Sequence, residues 1–249
     1  MIHQQLLSKY LRLKEAVYKK YARLHHVEFL EGPRILVLSP HPDDDVFGCG
    51  GALIRHINLG HQVFIAYVTD GSLGITGKGL KETVAIRKAE AVQASSIIGV
   101  PESALYFLQQ PDGNLEVTDA AIQSLKAVIA ETRPNLIYLP SFVDNHSDHF
   151  QTNLLLNAAL TSPVLISAYE IWTPIIPNRL VDVSGVMDQK ITAMKAHQSQ
   201  LEAMHYAEAM VGLNTYRALM YAKKRMRFAE AFLFAESREY FELIQEGTA

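Results

Sequence analysis

Short apolar runs alternate with helical patterns through the middle of this 249-residue chain. Five runs have the length of a β-strand: Ile35–Leu38, Val63–Val68, Leu105–Leu108, Leu136–Leu139 and Val164–Ala168. The segments between them have helical periodicity: Val46–Leu59, Leu80–Ile98, Thr118–Glu131 and Phe150–Leu160. Strands that are apolar throughout need cover on both faces, and parallel strands need crossover helices. The order therefore predicts an α/β fold, a Rossmann-like, doubly wound, mostly parallel sheet with helices on both faces.

Both ends of the chain carry further helical patterns. Apolar residues at spacings of three and four predict an extra N-terminal amphipathic helix over about residues 3–26. That helix either packs on the domain or on a second subunit, or lies with its basic face on an anionic membrane surface. The tail from Val186 to Gln245 is predicted to be largely helical, including residues 190–204, 217–224 and 229–234. With no internal repeat or obvious linker, residues 1–249 are expected to form a single domain.

Composition narrows the classes of partner. Hydrophobic residues make up 49% of the chain and the formal net charge is −3, so no basic footprint for nucleic acid is present. No apolar stretch approaches the roughly 20 residues of an integral membrane segment, and the N-terminus lacks the apolar core of a signal peptide. The single cysteine, Cys49, fits a reducing compartment, so a cytoplasmic location is expected. The apolar tail and the predicted N-terminal helix are segments through which the protein could form a homo-oligomer.

A dense polar cluster follows the first strand run. The residues after Leu38 read Ser-Pro-His-Pro-Asp-Asp-Asp, which places His41 beside Asp43, Asp44 and Asp45. Like charges at close range repel one another unless a cation holds them. A divalent metal is the simplest such cation, so the cluster predicts one half of a metal site.

A second polar cluster, Asn-His-Ser-Asp-His at residues 145–149, follows the fourth strand run. The carboxyl ends of parallel strands lie at one edge of the sheet, which is where open α/β folds bind ligands. Both clusters should therefore meet at that edge, although about a hundred residues separate them. A polar loop that caps a helix would explain one cluster alone. It does not explain two clusters at the same edge.

The ligand types in the two clusters predict a catalytic metal centre. His41, Asp44 and His149 supply two imidazoles and one carboxylate, and they leave a coordination position for water, as catalytic zinc sites do. Zn²⁺ is the expected cofactor, and Fe²⁺ or another divalent metal suits the same ligands. Such a centre activates water and polarises a substrate carbonyl, which predicts a metal-dependent hydrolase.

The remaining side chains of the clusters suit acid–base work. Asp43 lies next to a ligand without being needed as one, so it is the predicted general base. His146 is expected to stabilise a developing oxyanion or to protonate the leaving group. Asp148 is expected to fix the tautomer of His146 and to raise its pKa.

The chain resembles the LmbE-like, or PIG-L, family of zinc-dependent de-N-acetylases. The resemblance rests on His-Pro-Asp-Asp-Asp at 41–45, on Gly50-Gly51 and on His-Ser-Asp-His at 146–149, and similar family segments lie at 87–91, 190–200 and 229–232. It runs from about Pro33 onward, and the family usually has Glu where this chain has Asp45. The resemblance implies the same ligands and catalytic residues, and adds Arg87 and Asp112 as substrate-binding residues.

The resemblance also implies the reaction. The expected substrate is a small N-acetylglucosamine-type amino sugar or conjugate, which would lose its N-acetyl group by hydrolysis. Alternatives are a single-metal hydrolase of another N-acyl substrate and a non-catalytic carbohydrate-binding relative. Phosphoester cleavage is disfavoured because it usually requires two metals or a phosphate cradle, and the glycine-rich loop 69–79 does not match GxxxxGK. That loop is interpreted either as a tightly packed turn or as a mobile flap over the metal.

Overall fold

The computed structural model describes residues 25–27, 32–221 and 226–248. Its strands are β1 (His25–Val27), β2 (Arg34–Ser39), β3 (Gln62–Thr69), β4 (Leu105–Gln110), β5 (Leu136–Pro140), β6 (Leu165–Tyr169), β7 (Arg179–Asp182) and β8 (Ala229–Glu236). Its helices are α1 (Asp44–Asn58), α2 (Leu80–Ile98), α3 (Asp119–Thr132), α4 (Ser147–Ala159), α5 (Met187–Met194), α6 (Gln198–Leu201), α7 (Tyr206–Tyr221) and α8 (Ser237–Thr248). The strands form one sheet in the order β1-β7-β8-β6-β5-β2-β3-β4.

The central strand β2 is the point at which the sheet reverses its winding. It pairs in parallel with β3 on one side and with β5 on the other. The chain runs outward through β3 to β4, then returns to add β5 and β6 on the opposite side. The crevice of such a sheet opens between the carboxyl ends of the two strands that flank the reversal. The predicted doubly wound α/β fold is confirmed, and its crevice lies between β2 and β5.

The side chains of β2 divide between two cores because successive residues of a strand face opposite sides. Ile35 and Val37 pack in the core that α1, α2, α5 and α7 cover. Leu36 and Leu38 pack in the core that α3, α4 and α8 cover. All four are fully buried, which is the double burial that their uninterrupted apolar run predicts.

The tail contains a strand where the sequence predicts a helix. Residues 229–234 belong to β8, which pairs antiparallel with both β6 and β7. Alanine and glutamate are good helix formers, but packing overrides this propensity: Phe232 enters one core and Leu233 the other. Glu230 is buried with its carboxylate 2.6 Å from the Lys190 ammonium. The helical prediction is correct for most of the preceding tail, in α5, α6 and α7, whereas residues 222–225 lie outside the described residues.

The predicted N-terminal helix lies outside the described residues for its positions 3–24. At its last two positions the prediction is wrong, because His25 and His26 belong to β1, which pairs in parallel with β7. Among the described helices, none has the length and apolarity required to cross a membrane.

The helix that follows the first cluster packs closely on the sheet, and its glycines make this approach compatible with the fold. A Cβ atom on Gly48 would lie 2.3 Å from the Tyr169 ring, whereas one on Gly50 would meet nothing closer than 3.5 Å.

We therefore expect Gly48→Ala to lower the free energy of unfolding by about 1–3 kcal/mol, the usual cost of overpacking a core. Gly50→Ala is the matched control and should be neutral or slightly stabilising, because alanine favours a helix. Urea unfolding of both variants checks this, and equal stabilities would contradict it.

A buried histidine pair predicts a pH dependence of stability. His56 is fully buried, with Nδ1 2.9 Å from His61 Nδ1 and Nε2 3.0 Å from the Tyr138 hydroxyl. Burial, helped by His61 and Arg55, lowers the pKa of His56 from 6.5 to about 3. Between pH 6.5 and about 3, His56 is protonated in the unfolded chain but not in the folded protein. The free energy of unfolding therefore decreases as the pH falls through this range.

Replacing His56 isolates this contribution. Between about pH 7 and pH 5, wild-type protein should lose about 2 kcal/mol more unfolding free energy than His56→Gln. The exposed His205 provides the control, because His205→Gln should retain the wild-type slope. Urea unfolding at both pH values measures the difference, and parallel losses in wild type and His56→Gln would refute the assignment.

Candidate active site

The first polar cluster is folded by short hydrogen bonds around the end of β2. Ser39 Oγ donates to the His41 carbonyl oxygen at 2.6 Å and accepts the Asp45 N–H at 3.0 Å. The His41 N–H donates to Asp44 Oδ2 at 2.8 Å. The chain therefore turns directly from the strand into α1, and the turn brings the His41 imidazole against the Asp44 carboxylate.

The second polar cluster forms the start of α4. His146 occupies the N-cap position, and its Nδ1 accepts the backbone N–H of Asp148 at 3.2 Å. His149 follows in the first helical turn and is fully buried. The loop before the helix is held by Asp144, whose Oδ1 accepts the His146 N–H at 3.1 Å. The two clusters meet in the crevice between β2 and β5, as the topology requires.

Three candidate ligand atoms converge at this meeting point. Asp44 Oδ2 lies 3.0 Å from His41 Nδ1 and 3.2 Å from His149 Nε2, and these two nitrogens are 3.3 Å apart. A tetrahedral zinc ion at about 2.05 Å from each ligand would separate them by roughly 3.3 Å. The three predicted ligands thus fit one face of a tetrahedron around a zinc-sized cation. Buried N and O donors of this kind suit a divalent metal.

The other nitrogen of each imidazole faces a carboxylate. His41 Nε2 lies 3.2 Å from Asp148 Oδ2 and 3.3 Å from Asp112 Oδ1, and His149 Nδ1 lies 3.2 Å from Asp144 Oδ1. Carboxylates in this position orient metal-bound histidines and fix their tautomers. The Nδ1 atom of His41 and the Nε2 atom of His149 thus face the centre, and the contact of His149 Nδ1 with Asp144 is a close approach without hydrogen-bond geometry.

The structure agrees with part of the expected role of Asp148, because its backbone N–H fixes the His146 tautomer and, although burial and the neighbouring imidazoles lower the pKa of His146 overall, the charge of Asp148 raises it. The contacts of its carboxylate differ from the expectation. The sequence assigns its carboxylate to His146, whereas the structure places it on His41 and on the backbone N–H groups of Gly113 and Leu115, at 2.7 and 3.1 Å. Burial would raise the Asp148 pKa, but the contact with His41 and these two backbone bonds lower it to about 2. The atoms of His41, Asp112 and Asp148 also cluster closely enough to hold an ion. The two backbone bonds to Asp148 instead favour its orienting role.

The carboxylates give the centre a strong preference for positive charge. Burial opposes ionisation of His41, but Asp44, Asp112 and Asp148 outweigh it and raise the His41 pKa well above its ordinary value. Burial acts against His149 in the same way, and Asp44 with Asp144 raises its pKa to about 9. Burial would raise the Asp44 pKa, but the two imidazoles lower it far below its usual range. The same carboxylates would favour a bound cation, which must displace any proton on the ligand nitrogens.

Asp43, the predicted base, faces the crevice beside the ligands without joining the triangle. Its Oδ1 lies 3.1 Å from Arg87 Nη2, and both side chains are buried. Burial raises the pKa of Asp43, with a further contribution from Asp44 that Arg87 opposes. Arg87 also donates to the Gly71 carbonyl oxygen at 3.3 Å. The arginine that the family resemblance assigns to substrate is thus a buried partner of Asp43 that also borders the cavity.

His146 lies at the side of the centre, half-buried, with its ring centroid 4.6 Å from that of His41. Desolvation and the neighbouring imidazoles lower its pKa. Because its Nδ1 accepts the Asp148 N–H, the proton of the neutral ring belongs on Nε2. His146 can therefore present an N–H donor while it is uncharged.

Asp45 stands where the family usually has glutamate, and it lies behind the ligands. Its carboxylate is fully buried, 3.2 Å from the Tyr67 hydroxyl and 3.3 Å from Ser39 Oγ. Burial and the neighbouring Asp43 raise its pKa to about 7. Its contacts hold the turn at the end of β2, and it takes no part in the ligand triangle.

A cavity of about 260 Å³ opens above the centre. The predicted residues His41, Asp43, Asp44, Arg87, Asp112 and His146 form its floor, the exposed Leu73, Trp172 and Met204 form its rim, and Gly74, Gly113, Gln200 and Tyr206 also line it. The loop 69–79 borders the cavity and packs closely: the Leu73 N–H donates to Asp112 at 2.8 Å, and a Cβ on Gly74 would lie 2.4 Å from Arg87 Nη1. This contact supports the interpretation of the loop as a tightly packed turn.

Comparison with known proteins identifies the family. The family model described as PIG-L: GlcNAc-PI de-N-acetylase matches residues 36–160, half of the chain. The chain belongs to the PIG-L family. The matched range contains both polar clusters, so the resemblance seen in the motifs is confirmed.

Individual PIG-L relatives match most of the chain. The diacetylchitobiose deacetylase of Thermococcus kodakarensis is 28% identical over 193 residues, which covers 69% of this chain and 72% of the relative. A probable N-acetyl-alpha-D-glucosaminyl L-malate deacetylase 2 of Bacillus cereus is 28% identical over 190 residues, covering 68% and 84%. The structure of N,N′-diacetylchitobiose deacetylase from Pyrococcus horikoshii with its inhibitor MPG gives a TM-score of 0.73 at 24% identity, covering 84% and 86%. That structural likeness shows a shared fold.

Asp144 is a site residue that the motif analysis misses, and its contacts predict an effect on metal affinity. We expect Asp144→Asn to bind Zn²⁺ about 10- to 100-fold more weakly, the usual effect of losing a carboxylate that orients a ligand histidine. The exposed Asp188 offers a matched control, since Asp188→Asn removes the same charge from the surface. Competition with a chromogenic chelator measures both affinities. Unchanged affinity in Asp144→Asn would show that the contact does not orient His149.

Proposed function

We propose that this PIG-L family protein is a zinc-dependent deacetylase that removes the N-acetyl group from an N-acetylglucosamine-type sugar or conjugate. The observation that carries the proposal is the triangle of His41 Nδ1, Asp44 Oδ2 and His149 Nε2 beside the buried Asp43 carboxylate. The names of the family and of its relatives supply the substrate class. We further propose that residues 1–249 form one domain, because one sheet joins strands from His25 to Glu236, and that the protein acts in the cytoplasm.

The three ligand residues would hold the cation at the floor of the cavity. A zinc ion bound there supplies a Lewis acid for the acetyl carbonyl and lowers the pKa of water that reaches it. The carboxylates behind both imidazoles keep the ligand nitrogens directed at this point.

Asp43 would accept the proton of the attacking water. Arg87 holds its Oδ1, so that Oδ2 can take the proton. Burial raises the pKa of Asp43, which makes it a stronger base than an exposed aspartate. Arg87 opposes this effect because it stabilises the charged carboxylate. The proton held by Asp43 is then available to the leaving nitrogen. Water adds to the acetyl carbon, the C–N bond breaks, and acetate and a free amine result.

His146 would stabilise the oxygen on which negative charge develops. It borders the cavity, and its Nε2–H donor is fixed by the bond from the Asp148 backbone. A donor that is already in place costs no reorganisation as the charge develops. Asp112 remains the candidate for binding a sugar hydroxyl, because it borders the cavity between His41 and Arg87.

Removing the base separates catalysis from metal binding. We expect Asp43→Asn to retain stoichiometric zinc and to lose about a hundred- to ten-thousand-fold in kcat for release of free amine from an N-acetylglucosamine glycoside. Asp188→Asn again serves as the control and should keep full activity. Elemental analysis and an amine assay, each with and without a chelator, give the two readouts. Full activity in Asp43→Asn would exclude it as the base, and release that no chelator affects would exclude the metal mechanism.

A further inference from the structure

Three large apolar side chains remain exposed at the mouth of the cavity. Leu73 is 62% exposed, Trp172 42% and Met204 46%, and all three border the cavity above the metal ligands. They come from three different segments: the loop after β3, the loop after β6 and the turn between α6 and α7. Single exposed apolar residues are ordinary, but a group that converges on one cavity marks a binding surface.

The Trp172 ring is held in a fixed orientation. It stacks on Tyr206 with 5.1 Å between ring centroids and 19° between planes, and Tyr206 stacks on Phe47 at 4.3 Å and 14°. Tyr206 and Phe47 are buried, so the stack runs from the core to the rim. One face of the indole is therefore covered by Tyr206, and its exposed surface belongs to the cavity mouth.

The loop that carries Trp172 is anchored at both ends. The Trp172 and Thr173 N–H groups donate to Asp144 Oδ2 at 2.9 and 3.2 Å. The Ile175 N–H donates to Glu170 at 2.7 Å, and Glu170 forms a buried ion pair with Arg217. An exposed indole on so restrained a loop is preorganised for contact, which reduces the entropy lost on binding.

Charge distinguishes the mouth from the floor. The rim side chains Leu73, Trp172 and Met204 are uncharged, whereas the floor carries the carboxylates of Asp43 and Asp112. Among the described residues that border the cavity, the one with a fixed positive charge is Arg87, which is buried against Asp43. A negatively charged substituent at this mouth would find apolar side chains, with Arg87 below them already paired with Asp43.

We propose that Trp172, with Leu73 and Met204, forms a subsite for an uncharged substituent of the amino sugar that presents a flat C–H or aromatic face. This subsite rests on the proposed deacetylase function and adds the chemistry of the part of the substrate beyond the N-acetyl ring. An aryl group and the C–H face of a second pyranose share this chemistry. A carboxylate-bearing substituent lacks it.

A set of matched glycosides tests the subsite through activity. The substrates are 2-acetamido-2-deoxyglucosides that carry a methyl, a phenyl, a second N-acetylglucosamine or a carboxymethyl group. Wild-type zinc protein should deacetylate the phenyl or the disaccharide substrate with a kcat/KM about tenfold above that of the methyl glycoside, and the carboxymethyl glycoside below it. Trp172→Ala should abolish the preference, measured as the ratio of kcat/KM on the phenyl or disaccharide substrate to kcat/KM on the methyl glycoside, and Trp172→Phe should restore part of that ratio.

The phenyl and disaccharide arms distinguish the two sources of a flat face. A preference for one of them identifies the group that the subsite accepts. Leu59→Ala is the matched control, because Leu59 is also an exposed apolar residue but follows the end of α1 away from the cavity. Its preferences should equal those of the wild type. Equal kcat/KM values on all neutral glycosides in the wild type, or an equal loss on all of them in Trp172→Ala, would overturn the proposal.

A second readout does not require turnover. Trp172 is the only tryptophan of the chain, so its fluorescence reports on the subsite alone. Titration of the zinc-bound Asp43→Asn variant with the phenyl glycoside and the disaccharide should change the emission saturably with at least one of them, whereas the methyl glycoside should require about tenfold more ligand. If neither ligand changes the emission at any concentration up to its solubility limit, the proposed subsite is wrong. If no N-acetyl glycoside is deacetylated but this titration succeeds, the proposed function fails and the subsite stands.

Discussion

One carboxylate oxygen, Asp44 Oδ2, connects the two halves of the active site. It accepts the backbone N–H of His41 and lies within 3.2 Å of one nitrogen of each ligand imidazole. The first contact belongs to the turn after β2, and the last reaches α4 after β5. This arrangement requires β2 and β5 to be neighbours, which the reversal of winding at β2 provides. The sheet topology therefore brings the two halves of the proposed metal site together.

Polar groups around Asp44 compensate the charges that are buried with it. Buried carboxylates repel one another unless cations or donors compensate them, and here Arg87, two imidazoles and several backbone N–H groups do so. Gly48 allows the ring of Tyr169 to approach α1, and the Tyr169 hydroxyl donates to the Leu38 carbonyl oxygen at 2.9 Å. The close packing of Tyr169 on α1 and β2 thus lies only three residues from His41 along the chain.

Much of this arrangement follows from the sequence because its signals are local. Apolar runs predict β2 to β6, and the rule that ligands bind at the carboxyl ends of parallel strands brings His41 and His149 together before any coordinates are known. The contacts of Asp148 and Asp144 do not follow, because which imidazole a carboxylate meets depends on loop geometry. The strand β8 is missed for a related reason. Its alanines and Glu230 favour a helix locally, and only the antiparallel partners and Lys190 make a buried strand stable there.

Asp144 has a consequence for how such a site can change. One oxygen of its carboxylate faces His149, and the other accepts the N–H groups of the loop that carries Trp172. A substitution that reshapes this loop to suit a different substrate would also move the carboxylate beside His149, a proposed metal ligand. A change of specificity on this side of the cavity is therefore constrained by the need to keep the proposed metal site intact. The loop of Leu73 is coupled in a similar way, because the Leu73 N–H donates to Asp112 beside His41, whereas Met204 lies on a segment without such a contact among the described residues.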